Sequence, residues 1–474
     1  MMVEDQAHGT DEPVNSAEEN QPVRRVLVFM IIGLGLIMTS VDATIVATAL
    51  HSLQHELRAS INWVGWTITA YSLGFVLMLP VSGKLSERYG CRKIFLGSVI
   101  IFTVASLACG LADNIYALIA LRAVQAAGGA GFTPSATGII VQHFGDERDR
   151  AVGLFGSIFS VGAMIGPIFG GLFVSYWTWR GIFFVNVPIG VAVTLLALRY
   201  VPHDRLTATG IQTKTDAVGM ALLGIGLFAA MLAAGYLGET NADVGSPTFI
   251  APSAIAIATL WMFFRHINHS AHPFIAPRLI HGPGFGVVNL VNGLYGGVTS
   301  GVVALVPLYA TNRYGFNALN SATLLIAEGV AAVALSVVAA LILRRTGYRL
   351  PLYIGSAVIA VGMLLLALSP AAGLSPYAWL SISAFLIGAG GGAINPASRN
   401  AGLQLEPERS STLAALRSMF MQIGTIAIVT IATAILASSR NQGVTQAWVF
   451  VVAAALLIAA LPIIARVPEH HGSW

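Results

Sequence analysis

Charge is what this chain lacks most. Of its 474 residues, 10% are Asp, Glu, Lys or Arg, where a soluble domain carries about 25%. A surface solvated by water on all sides is therefore excluded for most of the length. Cysteine is almost missing, with Cys91 and Cys109 the two present. With one on a surface loop and the other near the far end of the next helix, ~27 Å separates them, beyond the reach of a disulfide. Neither belongs to a metal-ligand spacing. A phosphate loop is missing as well: Ser82-Gly83-Lys84-Leu85 has neither the upstream glycine nor the Ser or Thr after lysine that such a loop needs. No metal, no cofactor and no enzymatic chemistry are expected.

What is present is apolar. The chain is 56% hydrophobic, with a mean hydropathy of +0.76. Runs of about 20 apolar residues recur from end to end, each long enough to cross a ~30 Å hydrocarbon core as a helix. Backbone groups in lipid must find partners within the segment, so the runs are helices. Fifty glycines suit helices packed backbone to backbone. The chain reads as an all-α polytopic membrane protein with lipid as its solvent. Spans are expected near 26–50, 63–82, 94–112, 115–142, 151–176, 181–200, 217–238, 248–264, 284–310, 321–343, 351–369, 376–401, 411–437 and 446–466, fourteen in all.

The net charge of +4 is a sidedness signal rather than a nucleic-acid footprint. Loops holding Lys84 to Lys93, Arg148 and Arg150, Arg199 to Lys214, Arg265 and Arg278, Arg344 to Arg349, and Arg409 share a side with Arg24, Arg25 and Arg466. That side takes eighteen of the 25 basic residues, and the other takes Arg58, Arg180, Arg313 and Arg440. By the positive-inside rule, both termini are expected in the cytoplasm, with the protein multi-pass in the cell (inner) membrane. The first 23 residues are polar and acidic, with no short apolar core followed by a cleavage site, so a tail and an uncleaved first span are expected. His266, His269 and His272 fall three apart in the connection after span 8 and read as a solvated loop rather than a metal face.

An internal repeat organises the spans. Ala126-Ala-Gly-Gly-Ala-Gly-Phe-Thr-Pro134 returns as Gly388-Ala-Gly-Gly-Gly-Ala-Ile-Asn-Pro396, an offset of 262. Gly90 maps to Gly347 within Arg344-Arg345-Thr-Gly347-Tyr-Arg349, an offset of 257. Two six-helix halves alone would repeat at roughly 200 residues, so the excess matches one inserted helix pair. The expected plan is a tail (1–25), an N-terminal six-helix bundle (26–200), an inserted pair with linkers (201–283), a C-terminal six-helix bundle (284–466) and a short tail (467–474).

Several strings carry a resemblance. Gly83-Lys-Leu-Ser-Glu87-Arg88-Tyr-Gly90-Cys91-Arg92-Lys93 reads as a charged hinge ending two apolar segments at a membrane surface. It resembles the loop after the second helix of major facilitator transporters, Gly-x-Leu-Ala-Asp-Arg-x-Gly-Arg-Lys. Gly83, Leu85, Arg88 and Gly90 match in place, while Glu87 replaces Asp and Cys91 replaces the first Arg after Gly90. Gly162-Ala-Met-Ile-Gly166-Pro167-Ile-Phe-Gly170-Gly171 is similar to the antiporter signature of drug exporters at all five fixed positions. Leu121-Arg122-Ala-Val-Gln125-Ala126 resembles the R-x-x-q-G motif of span 4, with Ala126 for glycine. Ser40-Val-Asp42-Ala-Thr44, Trp179-Arg180-Gly-Ile-Phe183-Phe184-Val-Asn186-Val-Pro188 and Val306-Pro307-Leu-Tyr309 resemble strings of the 14-spanner drug–proton antiporters (family 2 of that type). The resemblance covers residues 26–466.

That resemblance implies a major facilitator fold, two six-helix bundles plus two inserted helices, working as a proton-coupled multidrug exporter by alternating access. It implies a latch at Gly83, Glu87, Arg88, Gly90 and Arg92, and a packing element at Gly162, Gly166, Pro167, Gly170 and Gly171. Arg122 would bias a nearby acid, and Asp42 would exchange the proton. Asp42 and Glu328 are the acids well inside expected spans, and a carboxyl in hydrocarbon is costly when charged and cheap when protonated. The residues leave Asp42 open as a proton site or a helix-bracing acid. They leave Glu328 open as a second proton site, a countercharge for cargo, or a partner of Arg399 or Arg417. Tyr71, Asn289, Asn292, Tyr295 and Gln422 are candidate lining groups for a small amphipathic, cationic substrate. The proton gradient would be the energy source, nucleic acid is not an expected partner, and a monomer is expected. The alternatives are export of an endogenous lipid or metabolite, and a transport-inactive membrane sensor.

Overall fold

Apolar runs that can leave no peptide group unpaired in lipid fold as helices throughout. In the computed structural model the described residues are 24–59, 61–204, 216–236, 243–270, 273, 275–316, 318–371, 373–437 and 439–471. The expected tail through residue 23, the 205–215 part of the linker, His272 and residues 472–474 lie outside them. The N-terminal part is built from α1 (Arg25–Ile45), α2 (Leu50–Glu56), α3 (Ile61–Tyr89), α4 (Cys91–Gly110), α5 (Ile115–Gly129), α6 (Phe132–His143), α7 (Arg148–Tyr176), α8 (Gly181–Phe184) and α9 (Asn186–Tyr200). Two helices, α10 (Ala217–Tyr236) and α11 (Pro247–His269), pack on each other and are followed by α12 (Pro277–His281). In the C-terminal part, α13 (Phe285–Val291) passes through a π-helical turn, Asn292–Val298, into α14 (Thr299–Tyr314). Then come α15 (Ala318–Thr346), α16 (Arg349–Ala367), α17 (Pro376–Leu403), α18 (Ser410–Ala437), α19 (Gln442–Ala459) and α20 (Leu461–Ile464).

Twelve of these helical stretches are long and apolar enough to cross a membrane, with α5–α6, α8–α9 and α13–α14 each forming one broken stretch. Met164–Val174 within α7 and Ala217–Ala233 within α10 are two shorter apolar helices. Both stand among the fourteen spans expected from the sequence. α7 opens on Arg148, Asp149 and Arg150 and carries no further charged residue to its end at Tyr176.

Caps mark the end away from the cationic loops. The side chains of Asn114, Ser246, Ser375 and Asn441 accept bonds from the first free amides of α5, α11, α17 and α19, each such cap contributing about 1 kcal/mol. Glycines set the helix spacing. A Cβ on Gly74 would meet Ala123 O at 2.7 Å, and one on Gly128 would meet Phe102 N at 2.8 Å. These positions let α3 and α4 lie against α5 at backbone distance.

Three sequence expectations are corrected. The hinge at Gly83–Lys93 is not a loop: α3 stays helical through Tyr89, α4 starts at Cys91, and Gly90 alone, at φ 97°, makes the turn. Lys84, Glu87 and Arg88 are good helix formers whose long stems carry their charges outward, so the helix has no reason to stop at them. Cys91 is therefore buried rather than at the surface. His266 and His269 stand on the last turns of α11, not in a loop, and His266 Nε2 lies 2.8 Å from Asp216 Oδ1.

The repeat has a counterpart in backbone geometry. Gly347, at φ 68°, turns the chain into α16 as Gly90 turns it into α4. In each half an acid from beyond the last helix closes that turn. Asp204 accepts from the Arg92 amide at 3.0 Å, and Glu469 accepts from the Tyr348 amide at 2.5 Å.

Candidate functional site

Asp42 sits in the last turn of α1, fully buried. A carboxylate there needs a donor for every lone pair it turns away from water. Arg122 Nη1 lies 2.7 Å from its Oδ2; Gln125 Nε2 and Asn186 Nδ2 reach its Oδ1 at 2.9 and 3.0 Å. Arg122 and Gln125 are neighbours on α5 at i, i+3, the spacing that puts two side chains on one face. They also bond each other, Arg122 Nη1 to Gln125 Oε1 at 2.6 Å, and Gln125 Nε2 goes on to Ser106 Oγ of α4 at 2.6 Å. The Tyr71 ring of α3 covers the guanidinium at 4.1 Å and Phe183 flanks it at 5.6 Å. Five spans thus converge on one charge pair. The Tyr71 hydroxyl is buried and, among the described residues, makes no hydrogen bond.

The sequence marked Asp42 and Arg122 separately; the structure joins them. Gln125, Asn186 and Ser106 were not singled out. Two of them stand inside quoted strings, Gln125 in the span 4 motif and Asn186 in the Trp179–Pro188 string, and a polar amide inside an apolar run was the available signal. The same string closes the end away from the cationic loops: Trp179 Nε1 donates to Glu56 at 2.8 Å, and Arg180 Nη1 donates to the carbonyls of Gly110 and Ala112.

The glycines of α7 seat it on the stretch of α1 that carries Asp42. A Cβ on Gly162 would come within 2.5 Å of Ser40 Cβ, and one on Gly166 within 3.0 Å of Val41 O. α7 runs helical through Pro167 and the buried Gly170, while a Cβ on Gly171 would meet nothing within 4 Å. Further along, Met164 of α7 faces Gly329 of α15, beside Glu328. Glu328 is half-buried where α7, α15 and α17 meet, and among the described residues no hydrogen bond or ion pair reaches its carboxylate. The pairing with Arg399 or Arg417 that the sequence left open is not what the structure holds. Arg399 Nε donates to Asn395 Oδ1 at 2.9 Å, and Arg417 Nη2 donates to Asn395 Oδ1 and Ser398 Oγ, both at 3.1 Å.

At the cationic end the two halves touch. Glu87 Oε1 accepts from the Thr412 amide at 3.0 Å, so an acid of α3 caps the N-terminus of α18. Gly83 allows it: a Cβ there would lie 2.9 Å from Ala415 Cβ and 3.0 Å from Ser411 O. Cys91 Sγ is 3.4 Å from Ser411 Oγ, and Asn400 Nδ2 donates to Asp149 O at 3.0 Å. Arg92 turns the other way, its Nη2 donating to Leu198 O at 2.7 Å within its own half. Arg88 stacks on Tyr89 at 5.1 Å.

The expected lining residues are not gathered in one place. Tyr71 belongs to the Asp42 cluster. Asn289 donates to the carbonyls of Leu279 and Ile280, and Asn292 donates to that of Val288. Both line a small crevice with Arg399 and Arg417. Tyr295 is buried with its hydroxyl on Leu457 O at 3.1 Å, and Gln422 is half-buried on α18.

Comparison with known proteins places this geometry. The profile of the Major Facilitator Superfamily matches residues 32–427. Multidrug resistance protein 3 of Bacillus subtilis is 28% identical over 425 residues, covering 87% of this chain and 81% of that protein. An uncharacterized MFS-type transporter of Mycobacterium tuberculosis is 29% identical over 347 residues, covering 73% of this chain; the match spans 50% of that longer relative. Among solved structures, the human organic anion transporter MFSD10 superposes with a TM-score of 0.69 at 14% identity, over 94% of this chain and 100% of that one. The proton:xylose symporter XylE gives 0.65 at 13% identity, over 94% and 96%. At such identities the superpositions speak for the fold.

Proposed function

The chain belongs to the Major Facilitator Superfamily, and from that premise we propose that it is a proton-coupled exporter of small amphipathic compounds. In this reading α7 and α10 complete fourteen spans, both termini lie in the cytoplasm, and α10–α11 are a pair inserted between two six-helix bundles. The observation that carries it is the closed network at Asp42. Losing its charge to a proton would release Arg122 from its partner, a change several kcal/mol deep at a buried site. The release would act on α1, which α7 grips through Gly162 and Gly166, and α7 in turn meets α15 beside Glu328.

The described contacts between Glu87 and Thr412, Cys91 and Ser411, and Asn400 and Asp149 all lie at the cationic end. They suit a state closed to the cytoplasm, in which protons enter from outside and cargo leaves. In this reading Glu328, where α7, α15 and α17 meet, is the acid that meets cationic cargo. Relatives named multidrug resistance proteins support export of that kind. The test is ethidium transport in proteoliposomes under an imposed pH gradient. Wild type is expected to move it against its gradient and to stop on addition of an uncoupler. Gradient-driven transport that survives in Asp42→Asn would sink the assignment.

A further inference from the structure

The C-terminal half holds two cations that the proton network does not use. Arg399 of α17 and Arg417 of α18 are 7% and 8% exposed. Both point at one neutral oxygen, Asn395 Oδ1, at 2.9 and 3.1 Å. Holding the Arg417 guanidinium out of water is costly unless a negative charge meets it. An amide oxygen carries none, and among the described residues Arg417 makes no ion pair and its buried Nε makes no hydrogen bond.

The pair borders a crevice, with Asn289, Asn292 and Ser398 on its polar wall and Phe285 and Leu413 on its apolar one. Asn292 is the first residue of the π-helical turn, a distortion often found at functional sites. The remaining edge of a guanidinium fits a carboxylate or phosphate with two parallel bonds, which a compact ammonium cannot offer. We propose that Arg399 and Arg417 form a binding site for the oxyanion of an amphiphile, a phosphate or carboxylate on an apolar tail. The apolar wall takes the start of the tail and Arg417 takes the head. Two sources offer this chemistry: the headgroup of an anionic membrane lipid, for which basic pockets between spans are suited, and an anionic cargo molecule. The site goes beyond the efflux reading and does not depend on it.

The experiment uses the full chain in nanodiscs of neutral phosphatidylcholine. Calorimetry compares three amphiphiles with the same tail: dodecyl phosphate, dodecyltrimethylammonium and dodecyl maltoside. Dodecyl phosphate is expected to bind at least about tenfold tighter than the maltoside, the size of a charge-assisted hydrogen bond. Arg417→Gln is expected to remove that advantage while leaving dodecyltrimethylammonium within about twofold of wild type. Arg417→Lys keeps the charge without the fork and should recover only part of it. Equal binding of phosphate and maltoside by wild type overturns the proposal without any variant. A monodisperse Arg417→Gln protein that binds phosphate as wild type does also overturns it. Competition by phosphatidylglycerol added to the nanodisc identifies a lipid headgroup as the source. Movement of dodecyl phosphate into vesicles under a pH gradient identifies cargo; either supports the oxyanion site. Ethidium transport in parallel vesicles judges the efflux reading separately.

Discussion

Replacing Asp42 by Asn separates stability from coupling. Asn keeps the shape, and it can still accept from Asn186 or Gln125, but it takes away the charge opposite Arg122, 2.7 Å distant and 1% exposed. Removing one partner of a buried ion pair costs about 3–5 kcal/mol, because the other charge stays behind uncompensated. With an unfolding entropy of about 2.1 cal/mol/K per residue, a chain of 474 residues has roughly 1 kcal/mol/K in all. The melting midpoint in detergent should then fall by ~3–5 °C. Adding Arg122→Gln removes the stranded cation, and the double variant should recover to within about 1–2 °C of wild type. Proton-driven ethidium transport should be absent from both. An Asp42→Asn protein that melts with wild type would refute the uncompensated-charge argument. A double variant that regains gradient-driven transport would refute the role of the pair in coupling, since no titrating carboxylate would remain there.

Three other outcomes are expected. Gly162→Val should destabilise by about 1–3 kcal/mol through overpacking against Ser40, whereas Gly171→Ala, with nothing within 4 Å of its Cβ, should stay within about 0.5 kcal/mol of wild type; thermal melting of both variants checks the contrast. Glu328→Gln should weaken binding of a monovalent cationic cargo while sparing a neutral cargo of the same shape, measured by equilibrium binding; equal losses for both would argue for a packing role instead. Gly83→Leu should wedge α3 from α18 at Ala415 and expose Cys91, so maleimide labelling of Cys91 in a Cys109→Ser background should quicken by about tenfold or more, as expected when a buried thiol is opened to reagent. Unchanged labelling would place the α3–α18 contact outside the gate.

Twelve of the expected spans were legible because 20-residue apolar runs have one stable form in lipid, and Asp42 and Arg122 stood out because charge is so scarce. Their union was not legible: the residues lie eighty positions apart, and the junction depends on how α1, α4, α5 and α9 pack. Asn186 shows the difficulty well. Its string reads as the entry to a span, yet its amide is one of the two donors on Asp42 Oδ1. The hinge misleads because charge suggests the end of a helix. In fact, long charged side chains extend a helix into the interface, and Gly90 ends it by its backbone alone. The fit of Gly83 against Ser411 and Ala415 joins residues more than 300 positions apart, a distance at which no local pattern survives. The bareness of Glu328 is likewise a property of the assembled seam, which no run of residues displays.

The two acids that close the glycine turns bear on how the chain is divided. Asp204 and Glu469 each tie the end of a half back to the start of its own third long helix, so each half carries its own clasp. A cut between Asp204 and Asp216 leaves the first clasp whole on one piece and the second on the other. The pieces, made separately in one cell, are expected to insert and co-purify, and failure of the N-terminal piece with Asp204→Ala but not with Glu469→Ala on its partner would trace that autonomy to the clasp. The polypeptide would then be continuous for synthesis and dual in construction, with the stretch after Asp204 open to insertion or replacement.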